Sequence, residues 1–164
     1  MKFRFTQPLK RSYWQESIEA ATPSAPLTGN GRADVAIVGG GFVGLWTALP
    51  MKQHEPDGGV VILEQDVCGG GASGRNGGFV MSWWPKIGTI RSFCSAEETL
   101  FLGSSAERAI TELGEFCQQH AIDAHFVQKG WLWTATTPAH NNSWNSTLEA
   151  CERLGVKPFE RLPP

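Results

Sequence analysis

The sequence predicts an α/β fold built on a βαβ unit, in which a helix joins two parallel strands. Two short apolar runs, residues 35–38 and 60–63, and an apolar segment of helical character between them, residues 42–49, predict this fold. Short runs rich in β-branched residues and bounded by polar residues or glycine are typical of strands buried on both faces of a parallel sheet. A helix between such strands returns the chain in the same direction, so the strands pair in parallel.

Composition divides the chain into three predicted regions. Residues 1–32 form an N-terminal arm and linker, because residues 21–31 are rich in Pro, Gly, Ser and Thr and cannot hold a helix or a central strand. The aromatic stretch 12–14 within this arm either docks on the body of the protein or is mobile. Residues 33–95 contain the βαβ unit, and residues 96–164 form a helix, a hairpin and a second helix.

A long helix is predicted after the βαβ unit. Ser95 and Glu98 form a capping box, in which each side chain bonds the backbone amide of the other residue. Apolar residues then recur at helical spacing to about His120. Gly103 and Gly114 each weaken this helix by about 1 kcal/mol relative to alanine.

The remaining elements are shorter. The glycine-dominated residues 68–78 are expected to form a loop, and residues 81–85, with two tryptophans and a proline, an irregular packed segment. Residues 124–127 and 131–135 are expected to pair as a hairpin. A last helix is predicted to begin at Thr137 and Pro138 and to stop at a C-terminal glycine, Gly155. Its buried stripe comprises Trp144, Leu148, Cys151 and Leu154.

Pro50 conflicts with the helix predicted between the two strands. A proline in a helix interior removes one backbone hydrogen bond and clashes with the preceding turn, at a cost of roughly 3 kcal/mol. Either the helix ends near Leu49, or it is kinked, or the chain is less stable than its relatives. No third strand is apparent in the sequence, and two strands alone make a marginal sheet.

Charge and composition exclude several classes of function. The net charge of -2 gives no basic surface for nucleic acid, and no apolar run approaches the ~20 residues that span a bilayer. The N-terminus has no apolar segment of a secretory signal. The cysteines are widely spaced without a C-x-x-C pair, which favours free thiols in a reducing cytoplasm over a metal site. They are Cys68, Cys94, Cys117 and Cys151.

The Gly-Gly-Gly-Phe-Val-Gly segment after the first strand matches the G-x-G-x-x-G turn that binds dinucleotides. Gly39 permits the tight turn, Gly41 lets the backbone approach a pyrophosphate, and Gly44 allows the helix to pack closely. A helix that begins near Phe42 directs the amides of its first turn and its positive dipole end toward the phosphates. Phe42 and Val43 belong to this first turn and complete the predicted phosphate site.

Glu64 strengthens the prediction of a dinucleotide site. It ends the second predicted strand, 25 residues after Gly39, near the ~20-residue spacing expected for the acidic partner of such a turn. A carboxylate at this place can accept hydrogen bonds from ribose hydroxyls, and it would repel a 2′-phosphate, which disfavours NADP. The alternative is a tight strand–helix turn with an incidental glutamate.

A second glycine-rich segment, Gly-Gly-Gly-Ala-Ser-Gly-Arg-Asn-Gly-Gly at residues 69–78, follows. With the first glycine turn and Glu64, it resembles the FAD-dependent amino-acid and amine oxidoreductases, a family that includes D-amino-acid, glycine and sarcosine oxidases. Residues 73–78, and the Ser-Tyr-Trp stretch upstream, are most similar to the gamma-glutamylputrescine oxidoreductase branch. The resemblance implies a Rossmann-type FAD-binding βαβ unit, followed by the beginning of an α+β substrate domain in residues 96–164.

The resemblance implies that the cofactor is FAD. Gly39, Gly41 and Gly44 would meet its pyrophosphate, and Glu64 would bind the ribose of its adenosine. The second glycine loop would run along the pyrophosphate and the ribityl chain toward the flavin ring. The loop residues concerned are Ala72, Ser73, Gly74, Arg75, Asn76, Gly77 and Gly78.

Two loop residues leave alternatives open. Arg75 would either neutralise charge on the phosphates or the reduced flavin, or clamp backbone carbonyls. Asn76 would either bond the flavin or serve the turn alone.

In this family the flavin carries the chemistry. The resemblance implies that an amine or amino acid loses hydride from its α-carbon to flavin N5, that the imine hydrolyses, and that oxygen or another acceptor reoxidises the flavin. No catalytic residue is evident in the sequence, nor any residue that attaches the flavin covalently. His120, His125 and His140 are scattered and are interpreted as surface or structural residues.

Members of this family are usually more than twice as long as this chain. The chain is therefore expected to be a fragment, a truncated product or one piece of a split enzyme that a second chain completes, and to expose apolar surface. Two other hypotheses stay open. One is a non-catalytic remnant or nucleotide-binding module, and the other is an NAD-dependent dehydrogenase, which has no need of residues 73–78.

Overall fold

The computed structural model describes residues 11–19 and 22–162, so residues 1–10 of the predicted arm lie outside the described part of the chain. Two compact units divide between Phe79 and Val80, upstream of the predicted domain boundary after residue 95, which stays a prediction. The first unit contains helix α1 (Tyr13–Glu16), strand β1 (Val35–Val38), helix α2 (Phe42–His54) and strand β2 (Val60–Leu63). The second unit contains helices α3 (Ile87–Arg91), α4 (Ala96–Gln119) and α5 (Asn145–Arg153).

The predicted βαβ unit is present in the first compact unit. Strands β1 and β2 pair in parallel, with Val35 opposite Val60 and Val38 opposite Leu63, and the sheet of the described residues has these two strands. Asp34 secures the start of the pair, because its amide donates to Gly59 O at 2.9 Å and its carboxylate accepts from Gly59 N at 2.7 Å. The α/β class predicted from the two apolar runs is therefore confirmed.

The prediction that both faces of the strands are buried is wrong for the described residues. Ile37 faces α2, since a Cβ on Gly44 of that helix would lie 3.3 Å from Ile37 Cγ2. The alternate residues point away from α2, and Val38 is 86% exposed while Leu63 is 37% exposed. One helix covers one face, and apolar side chains on the other face contribute to the exposed apolar surface that the sequence predicts.

Helix α2 continues past Pro50 to His54, so the alternative in which the helix ends near Leu49 is wrong. The turn after the proline is secured at its end. Glu55 N donates to Met51 O at 2.8 Å, and Lys52 Nζ donates to Gly58 O at 3.0 Å. These two bonds stabilise the last turn of α2, which follows the position where the proline removes a backbone hydrogen bond.

The capping box that begins α4 is confirmed. Ser95 N donates to Glu98 Oε2 at 2.8 Å, and Glu98 N donates to Ser95 Oγ at 3.2 Å. The hydrogen bond from the Ser95 backbone lowers the pKa of Glu98, because it stabilises the carboxylate. The two glycines inside α4 lie under aromatic rings: added Cβ atoms would lie 2.7 Å from the Trp84 ring at Gly103 and 2.6 Å from the Phe126 ring at Gly114.

The core of the second unit forms around Trp84, Ile87 and Cys151, of which Ile87 is fully buried. Of the predicted irregular segment 81–85, residues 81–83 form no helix or strand, and Trp84–Lys86 form a 3₁₀ turn that leads into α3. The indole Nε1 of Trp84 donates to Glu107 Oε2 at 3.0 Å, which satisfies its polar atom inside the core.

The predicted hairpin is wrong, because the described residues 123–135 form no strand. Trp131 and Trp133 do lie on the same side, with stacked rings 5.7 Å apart, so the side chains alternate as in a strand. A ladder also needs a backbone partner in register, and this segment has none among the described residues. It is held by side chains instead, including a 3.1 Å bond from Gln128 Nε2 to Thr111 Oγ1.

The last helix begins later than predicted. Thr137 precedes a 3₁₀ turn, Pro138–His140, and α5 starts at Asn145. Its buried face includes Cys151, where burial raises the pKa of the thiol. The helix stops as predicted before Gly155, whose φ of +73° favours glycine.

The described residues have neither a membrane-spanning helix nor a cluster of metal ligands. None of their helices is long and apolar enough to cross a bilayer. They also contain no cluster of three or more His, Cys, Asp or Glu side chains that could hold a metal ion.

Candidate functional site

The first glycine turn connects β1 to α2 in the conformation that the pattern predicts. Gly39 has a φ of +100°, and its amide donates to Leu63 O at 2.8 Å. A Cβ on Gly44 would lie 2.0 Å from Gly39 O, so the helix backbone lies directly against the turn. The backbone geometry therefore requires glycine at both positions, whereas their contact with a pyrophosphate stays a prediction.

Helix α2 begins behind this turn, with Gly41 as its N-terminal cap residue. The first bond inside the helix runs from Leu45 N to Gly41 O at 3.0 Å. The amides of Phe42, Val43 and Gly44 therefore have no acceptor within the helix and point out of its N-terminal end. This helix end is the kind of backbone site that binds anions.

The Glu64 carboxylate lies at the turn. Gly40 N donates to Glu64 Oε2 at 2.7 Å, and Asp66 N donates to Glu64 Oε1 at 3.2 Å. The bond from Gly40 lowers the pKa of Glu64 below its ordinary value of 4.5, since it stabilises the charged form. Glu64 therefore brings a negative charge to the turn at neutral pH.

The second glycine loop packs on the first turn. Gly69 N donates to Gly40 O at 2.9 Å, and the Ser73 hydroxyl accepts from Phe42 N at 3.0 Å. A Cβ on Gly41 would lie 2.9 Å from Ser73 Oγ, so the absence of that atom lets the hydroxyl reach the helix end. The structure thus brings the two glycine segments and Glu64 together at the start of α2.

Arg75 and Asn76 use their side chains inside the loop. Arg75 Nε donates to Gly70 O at 2.9 Å. Of the two roles considered for Arg75, this contact corresponds to the binding of a backbone carbonyl. Asn76 Nδ2 donates to Ser73 O at 2.7 Å, and Asn76 Oδ1 accepts from Gly78 N at 2.7 Å, which is the turn role. Both side chains shape the loop of the described structure.

The other predicted loop residues form its backbone. Ala72 begins a 3₁₀ turn that ends at Gly74, where a Cβ would lie 2.3 Å from Gly69 O. Gly77 lies beside the ring of Phe79, and Gly78 has a φ of +76°. The loop therefore depends on glycine for close backbone approach at one position and for a left-handed backbone at another.

Gly40 and Cys68 also contribute to the site, although the sequence pattern does not predict them there. Gly40 stands at the variable position of the turn pattern, yet it donates to Glu64, and a Cβ on it would lie 2.5 Å from Cys68 Sγ. The run of three consecutive glycines, one more than the pattern needs, is the signal that could have identified Gly40. The packing of Cys68 against it has no signal in the sequence.

The three histidines interpreted from the sequence as surface or structural residues lie in the second compact unit and are exposed. His125 Nδ1 lies 3.2 Å from Asp123 Oδ1 on the surface, and His140 Nδ1 lies 3.3 Å from Thr136 Oγ1. Their positions agree with the surface interpretation of these residues.

The sequence of the chain matches a protein family and individual proteins of that kind. The family model described as FAD dependent oxidoreductase matches residues 34–164. The chain is 32% identical over 152 residues to gamma-glutamylputrescine oxidoreductase of Escherichia coli (strain K12), a match that covers 92% of this chain and 35% of that protein. It is 32% identical over 130 residues to the probable oxidoreductase OrdL of Rhizobium meliloti (strain 1021), covering 73% of this chain and 28% of that protein. No solved structure matches the chain significantly.

The matched region extends from the start of β1 through both glycine loops to the last residue. The chain spans about a third of the length of the two curated relatives, 35% of one and 28% of the other. FAD is the cofactor of the matched family. From the extent of the family match, together with 32% identity over nearly the whole chain, it follows that this protein belongs to the FAD-dependent oxidoreductase family.

Proposed function

We propose that this chain carries the cofactor-binding part of an oxidoreductase that uses FAD to oxidise a C–N bond of an amine or amino acid. The proposal rests on one observation, that a carboxylate 24 residues and a hydroxyl 31 residues along the sequence from their partners bond the glycine turn and the start of α2. Glu64 Oε2 lies 2.7 Å from Gly40 N, and Ser73 Oγ lies 3.0 Å from Phe42 N. Such a combination suits a ligand with a diphosphate next to a ribose.

The helix end is the proposed diphosphate site. The first-turn amides of α2, those of Val43 and Gly44, would donate to phosphate oxygens, and the helix dipole would add a favourable field. The Ser73 hydroxyl accepts from Phe42 N, and its own O–H can donate to a phosphate oxygen at the same time. These groups bind the phosphates without a positively charged side chain.

Glu64 is the proposed ribose ligand. Its carboxylate accepts two backbone amides and has further lone pairs for ribose hydroxyls. Its lowered pKa keeps it charged at neutral pH. A charged carboxylate here favours an adenosine with a free 2′-hydroxyl, as in FAD, over one with a 2′-phosphate.

When bound, FAD supplies the hydride acceptor, flavin N5, for the oxidation of the C–N bond. The residues of this chain would bind FAD and orient its flavin. Arg75 and Asn76 keep the second glycine loop in the shape that we propose runs along the ribityl chain. The contribution of this chain to the rate is therefore placement of the flavin relative to the substrate.

The amine class of substrate is proposed from the relatives. The Escherichia coli relative is named as an oxidoreductase of gamma-glutamylputrescine. We extend only the chemical class, an amine or amino acid, to this chain. Residues 96–164 are proposed as the beginning of its substrate domain, and further polypeptide, from the same or a second chain, is proposed to complete the substrate site.

FAD titration into the purified chain tests the proposal. We expect a yellow protein that retains FAD through gel filtration. Glu64→Gln should weaken FAD binding by about tenfold or more, because a hydrogen bond to a charged group is worth about 1.5–3 kcal/mol. Ser73→Ala removes a neutral bond and should weaken binding by about 2- to 10-fold. Glu160→Gln and Ser143→Ala, at exposed positions in the other unit, are matched controls that should leave binding unchanged.

The outcomes separate the three hypotheses. A folded, colourless protein that binds no added FAD contradicts the proposal and favours the non-catalytic remnant. Binding of NADH in place of FAD favours the NAD-dependent dehydrogenase, which the family match already disfavours. Because further polypeptide is proposed to complete the substrate site, the reaction itself is tested in the presence of that polypeptide, by anaerobic mixing of the FAD-loaded protein with amines and with 2-hydroxy acids. Bleaching of the flavin by amines supports C–N oxidation, and bleaching by hydroxy acids alone contradicts it.

A further inference from the structure

The N-terminal helix α1 lies against the second glycine loop. The side chains of its N-cap residue and of two helix residues donate to three different carbonyl oxygens of that loop. Gln15 Nε2 donates to Gly70 O at 3.2 Å, Trp14 Nε1 donates to Asn76 O at 2.8 Å, and the Ser12 hydroxyl donates to Gly74 O. These contacts join residues more than 50 positions apart in the sequence, so they are tertiary interactions.

A capping box at the start of α1 orients the side chains that contact the loop. Ser12 and Gln15 form a capping box, with Gln15 N donating to Ser12 Oγ at 3.2 Å and Ser12 N donating to Gln15 Oε1 at 2.9 Å. The box orients the Gln15 amide so that its Nε2 faces the loop. The ring of Trp14 lies over Gly78, because a Cβ there would lie 2.7 Å from Trp14 Cζ2.

The loop needs such support. Six of the ten residues from 69 to 78 are glycine, and glycine loses more conformational freedom on ordering than any other residue. A loop that is already ordered binds its ligand more tightly, because the ligand does not have to order it. The donors of α1 also occupy carbonyl oxygens, which would repel a phosphate, and leave the amide side of the loop to an anion.

We infer that the segment 12–16 is a strap that preorganises the second glycine loop for FAD, with Trp14 as a positioning residue. The inference rests on the proposed function for its ligand, and on the contacts of Ser12, Trp14 and Gln15 for its mechanism. The strap orders the second glycine loop, and the loop in this conformation places Ser73 Oγ within hydrogen-bond distance of Phe42 N at the start of α2.

Trp14→Phe tests the inference in the full chain. The variant keeps an aromatic ring and removes the indole N–H that bonds Asn76 O. We expect hydrogen–deuterium exchange of the amides in residues 69–78 to accelerate several-fold, and the Kd for FAD to rise by about 2- to 10-fold, the effect of one neutral hydrogen bond. Trp83→Phe is the matched control, since Trp83 is 49% exposed against 42% for Trp14 and lies in the other unit. It should leave both quantities unchanged.

A second variant covers the case in which Trp14→Phe fails to fold. Gln15→Glu retains a residue that can complete the capping box but removes the amide donor from α1 to Gly70 O, whereas the bond from Arg75 Nε to the same oxygen remains. Loop exchange measured without FAD should again accelerate, while the circular dichroism and the melting midpoint stay within error of the wild type. A positioning role predicts this separation between loop order and global stability.

The failures of the two proposals are distinguishable. A wild-type chain that binds no FAD refutes the proposed function, and the exchange data then decide the strap alone. Wild-type exchange of residues 69–78 in both strap variants overturns the strap. Accelerated exchange with an unchanged Kd for FAD overturns the positioning role of Trp14.

Discussion

Replacing Gly44 with alanine sets two effects of opposite sign against each other. Helix propensity alone predicts that alanine stabilises α2 by up to about 1 kcal/mol. Packing predicts the reverse, because the new Cβ would lie 2.0 Å from Gly39 O and 3.3 Å from Ile37 Cγ2. The sign of the change in unfolding free energy therefore reports which description of the turn is correct.

The magnitude follows from the contact. The Cβ and the Gly39 oxygen must separate from 2.0 Å to at least 3.0 Å. Gly39 cannot easily move, since its amide is bonded to Leu63 O at 2.8 Å. Overpacking costs typically 1–3 kcal/mol, and a backbone clash belongs at the upper end, about 3 kcal/mol. After subtraction of the propensity gain, we expect a net loss of about 2 kcal/mol, or roughly 4–8 °C in Tm.

The assay is thermal and urea unfolding of the Gly44→Ala variant followed by circular dichroism. Gly31→Ala in the same compact unit is the matched control, because its new Cβ would have only an ordinary contact of 3.8 Å with Leu27 Cδ1. Its Tm should stay near that of the wild type. An equal or higher Tm for Gly44→Ala would refute the close packing of α2 on the turn.

Three further predictions test the second unit and the turn. Gly103→Ala should destabilise the protein by about 1–2 kcal/mol in urea unfolding, because its Cβ would lie 2.7 Å from the buried ring of Trp84; Gly88→Ala, with an ordinary 3.8 Å contact, should be neutral or stabilising, and equal effects of the two would contradict the packing. Ile87→Ala should cost about 2–5 kcal/mol by the same measurement, because Ile87 is fully buried, and a loss below 1 kcal/mol would argue against this core. The lowered pKa of Glu64 means that its stabilising effect is present above its ordinary value of 4.5 and is lost as the pH falls through the lower folded pKa; Glu64→Gln should flatten this acid limb in a pH series of melting midpoints, and an unchanged limb would show that the bond to Gly40 contributes nothing.

The elements that could be predicted from the sequence are those with a local cause. The parallel strands follow from two apolar runs around a glycine turn, and the start of α4 follows from a capping box whose two bonds span three residues. The position of Glu64 at the turn follows from its place at the end of β2, because parallel strands end at the same edge of a sheet.

The predictions that failed needed partners that the local pattern does not specify. Residues 124–127 and 131–135 have the alternation of strands, but they lack a backbone partner among the described residues. The strands β1 and β2 are apolar on both faces, yet one helix covers one face. In both cases the residues have the composition of a buried element. The local pattern does not specify the neighbouring element that would bury them.

By itself, the sequence determined the βαβ unit, the two glycine segments, the acidic residue at the turn and the family resemblance. These features depend on backbone conformations and spacings within short stretches, which residue type controls directly. Only the tertiary structure decided that α1 docks on the second glycine loop, that Arg75 and Asn76 bond inside this loop, and that Trp84 covers Gly103. Those outcomes depend on which of several equally suitable donors, acceptors and surfaces come within contact distance, and contacts between residues far apart in the chain exist only once the chain has folded.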